Sequence, residues 1–131
     1  MGNTIGANRS LLIVDDDRPL ARMLSWAFED LGYQVLTAAD CHTARRLARA
    51  ASPAHALIDY CLPDGDGHSL ANELAAEQPG LKVVLMSADR GTAQRAIADA
   101  AESRPFFEKP VRPTRLHRLF TTGGIPAIQP L

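Results

Sequence analysis

The chain has 131 residues, 46% of them hydrophobic and 22% charged, with a formal net charge of −1. That length fits one domain with a substantial core. The near-neutral charge excludes a global pull towards nucleic acid or an anionic membrane, and no apolar run reaches bilayer-spanning length.

The opening stretch, MGNTIGANRS, has neither the basic start nor the apolar middle of a secretory signal, and Gly6 stands where a myristoylation signal wants Ser or Thr. Residues 1–9 read as an N-terminal extension. The first strand is LLIV (11–14), four apolar residues in a row. Leu20, Met23, Leu24, Ala27 and Leu31 then recur at helical spacing, with Pro19 near the start and Gly32 at the end. QVLT (34–37) is a more polar strand, placed at a sheet edge. Asp40 caps a second helix marked by Ala44, Leu47, Ala48 and Ala51.

ALID (56–59) is the third strand, and Leu70 and Leu74 mark a helix stopped by Pro79-Gly80. VVLM (83–86) is the fourth strand, followed by a helical pattern in Ala93, Ala96, Ile97 and Ala100. FF (106–107) is the fifth, at an edge because Pro105 cannot donate a ladder hydrogen bond. Leu116, Leu119 and Phe120 mark the last helix, and residues 121–131 read as a flexible tail or linker stub. Continuous apolar runs imply burial on both sheet faces. Strand and helix alternate five times, which predicts an α/β fold: a doubly wound five-stranded parallel sheet with five helices.

In such sheets the chemistry gathers just beyond the carboxyl ends of the strands. There the chain places Asp15, Asp16 and Asp17, then Asp59, then Ser87, then Lys109. Three carboxylates about 4 Å apart would repel by about 4 kcal/mol per pair at an effective dielectric of 20, so a cation belongs among them. Asp15, Asp16 and Asp59 form a hard-oxygen pocket suited to Mg²⁺. Lys109 adds a point charge and Ser87 a small donor. A divalent ion, a lysine and a hydroxyl around one carboxylate suit phosphoryl transfer, with Asp59 as the nucleophile.

These residues resemble the receiver domains of two-component response regulators over residues 10–120. The likeness rests on LLIVDDD, on IDYCLPDGDG with its Asp-x-x-Leu-Pro-x-x-x-Gly pattern, on LMSAD and on FFEKP. It implies a flavodoxin-like strand order, 2-1-3-4-5, and a phosphorylation-dependent signalling switch. Asp59 is then the phosphoacceptor, served by a sensor histidine kinase or a histidine phosphotransfer protein. Asp16 ligates Mg²⁺ directly, Asp15 largely through water, and Cys61 through its backbone carbonyl. Ser87 is the switch hydroxyl, Lys109 the phosphate-contacting lysine, and Phe106 the aromatic that changes rotamer. The peptide before Pro110 is expected to be cis.

The family's usual Ala/Gly pair before the fifth strand is replaced here by Glu102 and Ser103. The signalling face is therefore expected to be atypical, which leaves a phosphorylation-dependent dimer an open expectation. Asp89 and Cys61 flank the pocket entrance, where side chains gate water. The basic runs Arg45, Arg46, Arg49 and Arg112, Arg115, Arg118 read as solvated faces. With reduced thiols and no signal, the chain is expected in the cytoplasm. No output module is visible, so a stand-alone receiver or the receiver part of a larger regulator is expected, with no direct nucleic-acid contact and an unnamed downstream protein target. Catalysis is expected only as Mg²⁺-assisted self-phosphorylation and autodephosphorylation. The alternative is a Mg²⁺-dependent phosphatase or phosphotransferase with an aspartyl nucleophile acting on small molecules. That chemistry usually wants an acid two positions after the nucleophile, where this chain has Cys61.

Overall fold

The computed structural model describes residues 9–89, 91 and 104–122. In chain order the elements are β1 (Ser10–Val14), α1 (Arg18–Asp30), β2 (Gln34–Ala38), α2 (Cys41–Ala51), β3 (His55–Asp59), β4 (Cys61–Leu62), β5 (Gly65–Asp66), α3 (Gly67–Glu77), β6 (Lys82–Ser87), β7 (Phe106–Glu108) and a C-terminal helix (Pro113–Thr122). Five strands form one parallel sheet in the order β2-β1-β3-β6-β7, and β4 pairs with β5 as a small antiparallel hairpin. Counting the main strands alone, this is the 2-1-3-4-5 order, with β2 and β7 at the edges as expected.

The continuous apolar runs divide by alternate residues between two cores. Leu12 and Val14 of β1, Ala56 and Ile58 of β3, and Val83 and Leu85 of β6 face α2 and α3. Leu11 and Ile13, Leu57, and Val84 and Met86 face α1 and the C-terminal helix. Each fully buried Leu or Ile contributes about 1.5–3 kcal/mol relative to exposure, so both faces of the sheet are strongly specified. Phe106 and Phe107 split in the same way, the first to the α2/α3 side and the second to the opposite core.

One helix is rotated from its predicted phase. The spacing put Met23 and Ala27 on the buried face of α1, whereas the structure buries Ala21, Leu24 and Phe28 and leaves Met23 61% exposed. The physical reason lies in aromatic packing: Phe28 meets Tyr33 edge-on at 5.1 Å and Phe120 at 6.3 Å, which turns the helix towards the C-terminal helix. Gly32 closes the turn after α1 at φ 92°, a left-handed conformation that side chains rarely adopt.

At the end of the sheet away from the aspartates, buried His55 stacks on Phe120 with centroids 4.3 Å apart, and the Tyr33 hydroxyl shares a 2.9 Å hydrogen bond with His117 Nδ1. Two of the four histidines, His55 and His117, are thus packing residues. The C-terminal helix continues through Thr121 and Thr122, two residues into the stretch read as tail. The helical pattern in Ala93–Ala100, the departure at Glu102 and Ser103, residues 1–8 and residues 123–131 lie outside the described residues. Among the described residues no helix is long and apolar enough to cross a membrane.

Candidate phosphorylation site

β1 and β3 are adjacent and parallel, so their carboxyl ends deliver Asp15 and Asp59 to one edge of the sheet. β6 lies next to β3, and Asp59 is level with Met86, which sets Ser87 just beyond. The chain leaving β7 keeps one more rung of ladder, the Lys109 N–H donating to the Ser87 carbonyl at 2.9 Å. Four strand ends therefore bring Asp15, Asp16, Asp59, Ser87 and Lys109 together. The Lys109–Pro110 peptide is cis.

Lys109 Nζ sits between two carboxylates, 2.7 Å from Asp59 Oδ2 and 2.9 Å from Asp15 Oδ2. Its side chain is 12% exposed, against 0% for Asp15 and 8% for Asp59. Burial alone would lower the lysine's pKa, but its hydrogen bond to Asp59 and its close approach to the Asp15 carboxylate outweigh it and raise the value above the usual lysine range. Burial raises Asp15 above the ordinary carboxylate value, and repulsion from Asp59 adds to it, against the pull of Lys109 and the Asp17 N–H.

The other oxygens are held by backbone. Asp15 Oδ1 accepts the Asp17 N–H, and Asp59 Oδ1 accepts the Cys61 N–H, each at 3.0 Å. Ser87, buried, accepts the Asp89 N–H on its hydroxyl oxygen at 3.0 Å. Phe106 is buried against Tyr60, with ring centroids 6.1 Å apart.

The donor set fits a hard cation. Carboxylate oxygens of Asp15, Asp16 and Asp59 lie within 4.8 Å of one another. Asp15 Oδ2 is buried with its charge beside Lys109 but without an aligned hydrogen bond, so it retains acceptor capacity. Asp15 and Asp59 are buried and Asp16 is exposed, which leaves a side of the cluster open to water. Oxygen donors with room for several waters suit Mg²⁺ or Ca²⁺.

One residue of the aspartate run and two of a basic run take other roles. Asp17 leaves the carboxylate cluster: its side chain accepts the Leu20 N–H at 3.1 Å as the N-cap of α1. An Asp preceding a proline-bearing first helical turn is the signal that marks it. Arg45 and Arg49, read as solvated, pair across to α3, Arg45 with Glu73 and Arg49 with Glu77, each at 2.8 Å. Sequence reasoning also missed Asp64 and Asp66. Asp66 caps α3 by accepting the Ser69 N–H at 2.7 Å, a local pattern that the sequence contains. Asp64 accepts the Cys41 and His42 N–H groups from 23 and 22 residues away, and no local pattern announces that.

Comparison with known proteins gives a consistent picture. The family model of the response regulator receiver domain matches residues 11–121. The photosynthetic apparatus regulatory protein RegA of Cereibacter sphaeroides is 31% identical over 120 residues, covering 91% of this chain and 65% of that protein. The probable transcriptional regulatory protein TcrX of Mycobacterium tuberculosis is 34% identical over 101 residues, covering 77% of this chain and 43% of that protein. This chain thus spans less than two thirds of the length of these relatives. Among solved structures, a response regulator from Burkholderia pseudomallei with a phosphorylated aspartic acid, calcium ion and citrate superposes with TM-score 0.74 at 26% identity, over 88% of this chain and 68% of that one. A beryllofluoride-activated NtrC4 receiver domain dimer superposes with TM-score 0.71 at 26% identity, over 86% of this chain and 93% of that one.

Proposed function

This chain belongs to the response regulator receiver domain family, and from that membership we propose that Asp59 accepts a phosphoryl group from a phosphohistidine on a sensor histidine kinase or histidine phosphotransfer protein. One observation carries the reading: a buried aspartate at a strand end is braced by a lysine at 2.7 Å and a backbone N–H at 3.0 Å, beside two further carboxylates. In the step, a carboxylate oxygen of Asp59 forms a bond to phosphorus as the donor's P–N bond breaks. The departing imidazole keeps the electron pair and takes up a proton from solvent.

Asp15, Asp16 and Asp59, with the Cys61 backbone carbonyl, would hold Mg²⁺, which supplies neutralising charge for the transferred phosphoryl oxygens. Lys109 remains protonated and contributes a second positive charge within the site. Ser87 swings its hydroxyl onto a phosphoryl oxygen and Phe106 repacks beside Tyr60, changing the surface that meets a downstream protein. Converting such a switch from mostly off to mostly on takes about 5.5 kcal/mol of differential stabilisation. Residues 10–120 form the receiver unit, and light scattering with and without a phosphoryl mimic tests whether phosphorylation pairs two copies. A structural relative described with a phosphorylated aspartic acid and a calcium ion supports reading an aspartate of this chain as a phosphoryl acceptor.

The test is incubation with Mg²⁺ and acetyl phosphate followed by intact-mass measurement. A single phosphoryl increment that is lost in Asp59→Asn is expected. Absence of the increment in the parent chain, or its persistence in Asp59→Asn, overturns the assignment.

A further inference from the structure

We infer that Asp64 is a positioning residue of the phosphorylation site, because it anchors the β4–β5 hairpin, and through it Cys61, to the first turn of α2. The inference rests on Asp59 being the acceptor. A helix leaves its first N–H groups without intrahelical partners. In α2 the Thr43 N–H goes to the local cap, Asp40, at 2.7 Å. The Cys41 and His42 N–H groups go instead to the two carboxylate oxygens of Asp64, at 2.8 and 3.1 Å. Two aspartates thus divide one helix terminus, and only Asp64 reaches it from a distant segment.

That segment is a wall of the site. Cys61 pairs with Asp66 and Leu62 with Gly65, so Pro63 and Asp64 form the tip of a hairpin only two rungs long. A hairpin this short has little stability alone and needs an external hold. Its base supplies the Cys61 N–H that holds Asp59 Oδ1. Gly65 lies close to the same helix turn, since a Cβ added there would meet Cys41 Sγ at 3.3 Å. The charge balance is favourable as well: the partial positive charge of the helix terminus favours a carboxylate. The backbone N–H of Cys41 holds Asp64 below the usual carboxylate range, and burial followed by Asp64 itself pushes the Cys41 thiol up to about 11. The thiol therefore stays neutral beside the anchor.

A role in helix capping alone would make Asp40 and Asp64 equivalent, and that separates the two explanations. The experiment compares Asp64→Ala, Asp64→Asn and Asp40→Ala in the full chain. Three readouts are used: Mg²⁺ affinity by calorimetry, amide hydrogen exchange at Cys61, and acetyl-phosphate labelling by intact mass. For Asp64→Ala we expect Mg²⁺ affinity about tenfold weaker, the scale on which groups that orient metal ligands act. Faster exchange at Cys61 and slower labelling accompany it. Asp40→Ala leaves all three unchanged while lowering thermal stability, and Asp64→Asn, which keeps one acceptor oxygen, falls between and carries the comparison if alanine prevents folding. Equal behaviour of the Asp64 and Asp40 variants in Mg²⁺ affinity and Cys61 exchange overturns the inference. If the parent chain takes neither Mg²⁺ nor phosphoryl, the site assignment fails instead, and Cys61 exchange still decides whether Asp64 holds the hairpin.

Discussion

Gly67 is where the fold and the site meet most tightly. It opens α3, donates its N–H to the Tyr60 carbonyl at 2.6 Å, and is buried. A Cβ placed there would lie 2.1 Å from the Asp59 carbonyl oxygen, 2.8 Å from the Asp59 carbonyl carbon and 2.9 Å from Tyr60 Cα. Ordinary contact begins near 3.4 Å, so the backbone at the end of β3 must move by about 1.3 Å (3.4 − 2.1) to admit a methyl group. Overpacking costs about 1–3 kcal/mol, and backbone atoms yield less readily than side-chain ends, which places Gly67→Ala near the top of that range. The better helix propensity of alanine returns up to about 1 kcal/mol. The net expectation is a loss of about 2 kcal/mol, or a fall in Tm of about 10 °C for a domain of this size. Urea unfolding followed by circular dichroism measures it, with the midpoint falling and the slope unchanged. The variant is also expected to label more slowly with acetyl phosphate, since the displaced atoms are those of the proposed acceptor, Asp59. A loss under about 0.5 kcal/mol, the range of an unremarkable surface change, would refute the reasoning.

Other substitutions and conditions test the electrostatics. Asp15→Asn should raise Tm in metal-free buffer and abolish the stabilisation by added Mg²⁺. A carboxyl with a raised pKa in the folded state loses stability as pH climbs through that value, and the amide removes the charge; a lower metal-free Tm contradicts this. Asp40 and Asp64 have depressed values, each from accepting backbone N–H groups, so their contribution is present above the ordinary 3.8 and is lost as pH falls through the folded values. Hydrogen exchange at Cys41, His42 and Thr43 should accelerate in that acid window before the sheet opens, and uniform protection there would count against the two caps. Arg49→Ala breaks a two-pronged pair with Glu77 at 3.0 and 2.8 Å, yet the partners are exposed, so the cost should be slight and shrink with salt. Chemical denaturation at low and high salt checks it.

The parts of this molecule that could be read in advance are those written locally. Leu11 to Val14 form an unbroken apolar run because both of their faces are covered, and the same logic exposes β3 and β6. Asp59 and Ser87 end their strands and Lys109 directly follows one, so once the strands are parallel their meeting is a matter of topology. The misreadings arise where the decision belongs to tertiary contacts. Met23 and Phe28 both fit an apolar stripe on α1, and only the presence of Phe120 and Tyr33 chooses the second. Asp15, Asp16 and Asp17 are chemically identical in the sequence. Their roles separate because α1 begins immediately after them and claims Asp17 as its cap. Asp64 sits in a turn-forming stretch, and its partners on α2 become neighbours only when the hairpin closes.

On the proposed assignment of Asp59 as acceptor, formal charge explains why this arrangement would act as a switch and not simply as an ion pair. Asp15, Asp16 and Asp59 carry three negative charges and Lys109 one positive charge, leaving the cluster at −2. One lysine satisfies a single carboxylate, and with Asp15 and Asp59 both within 3 Å of it the buried pair is under-compensated. A divalent cation brings the cluster to neutrality. Phosphorylating Asp59 replaces one carboxylate charge with about two on the phosphoryl oxygens, taking the protein cluster to about −3. The phosphorylated site therefore demands the cation more strongly than the resting one, and by reciprocity the cation favours phosphorylation by the same factor. Removing Lys109 would deepen the deficit in both states, whereas removing Asp15 would relieve the resting state and leave the cation fewer ligands. The pocket is costly at rest for the same reason that it is responsive: without a cation its carboxylates are under-compensated, and a phosphoryl group deepens the deficit that the cation must meet.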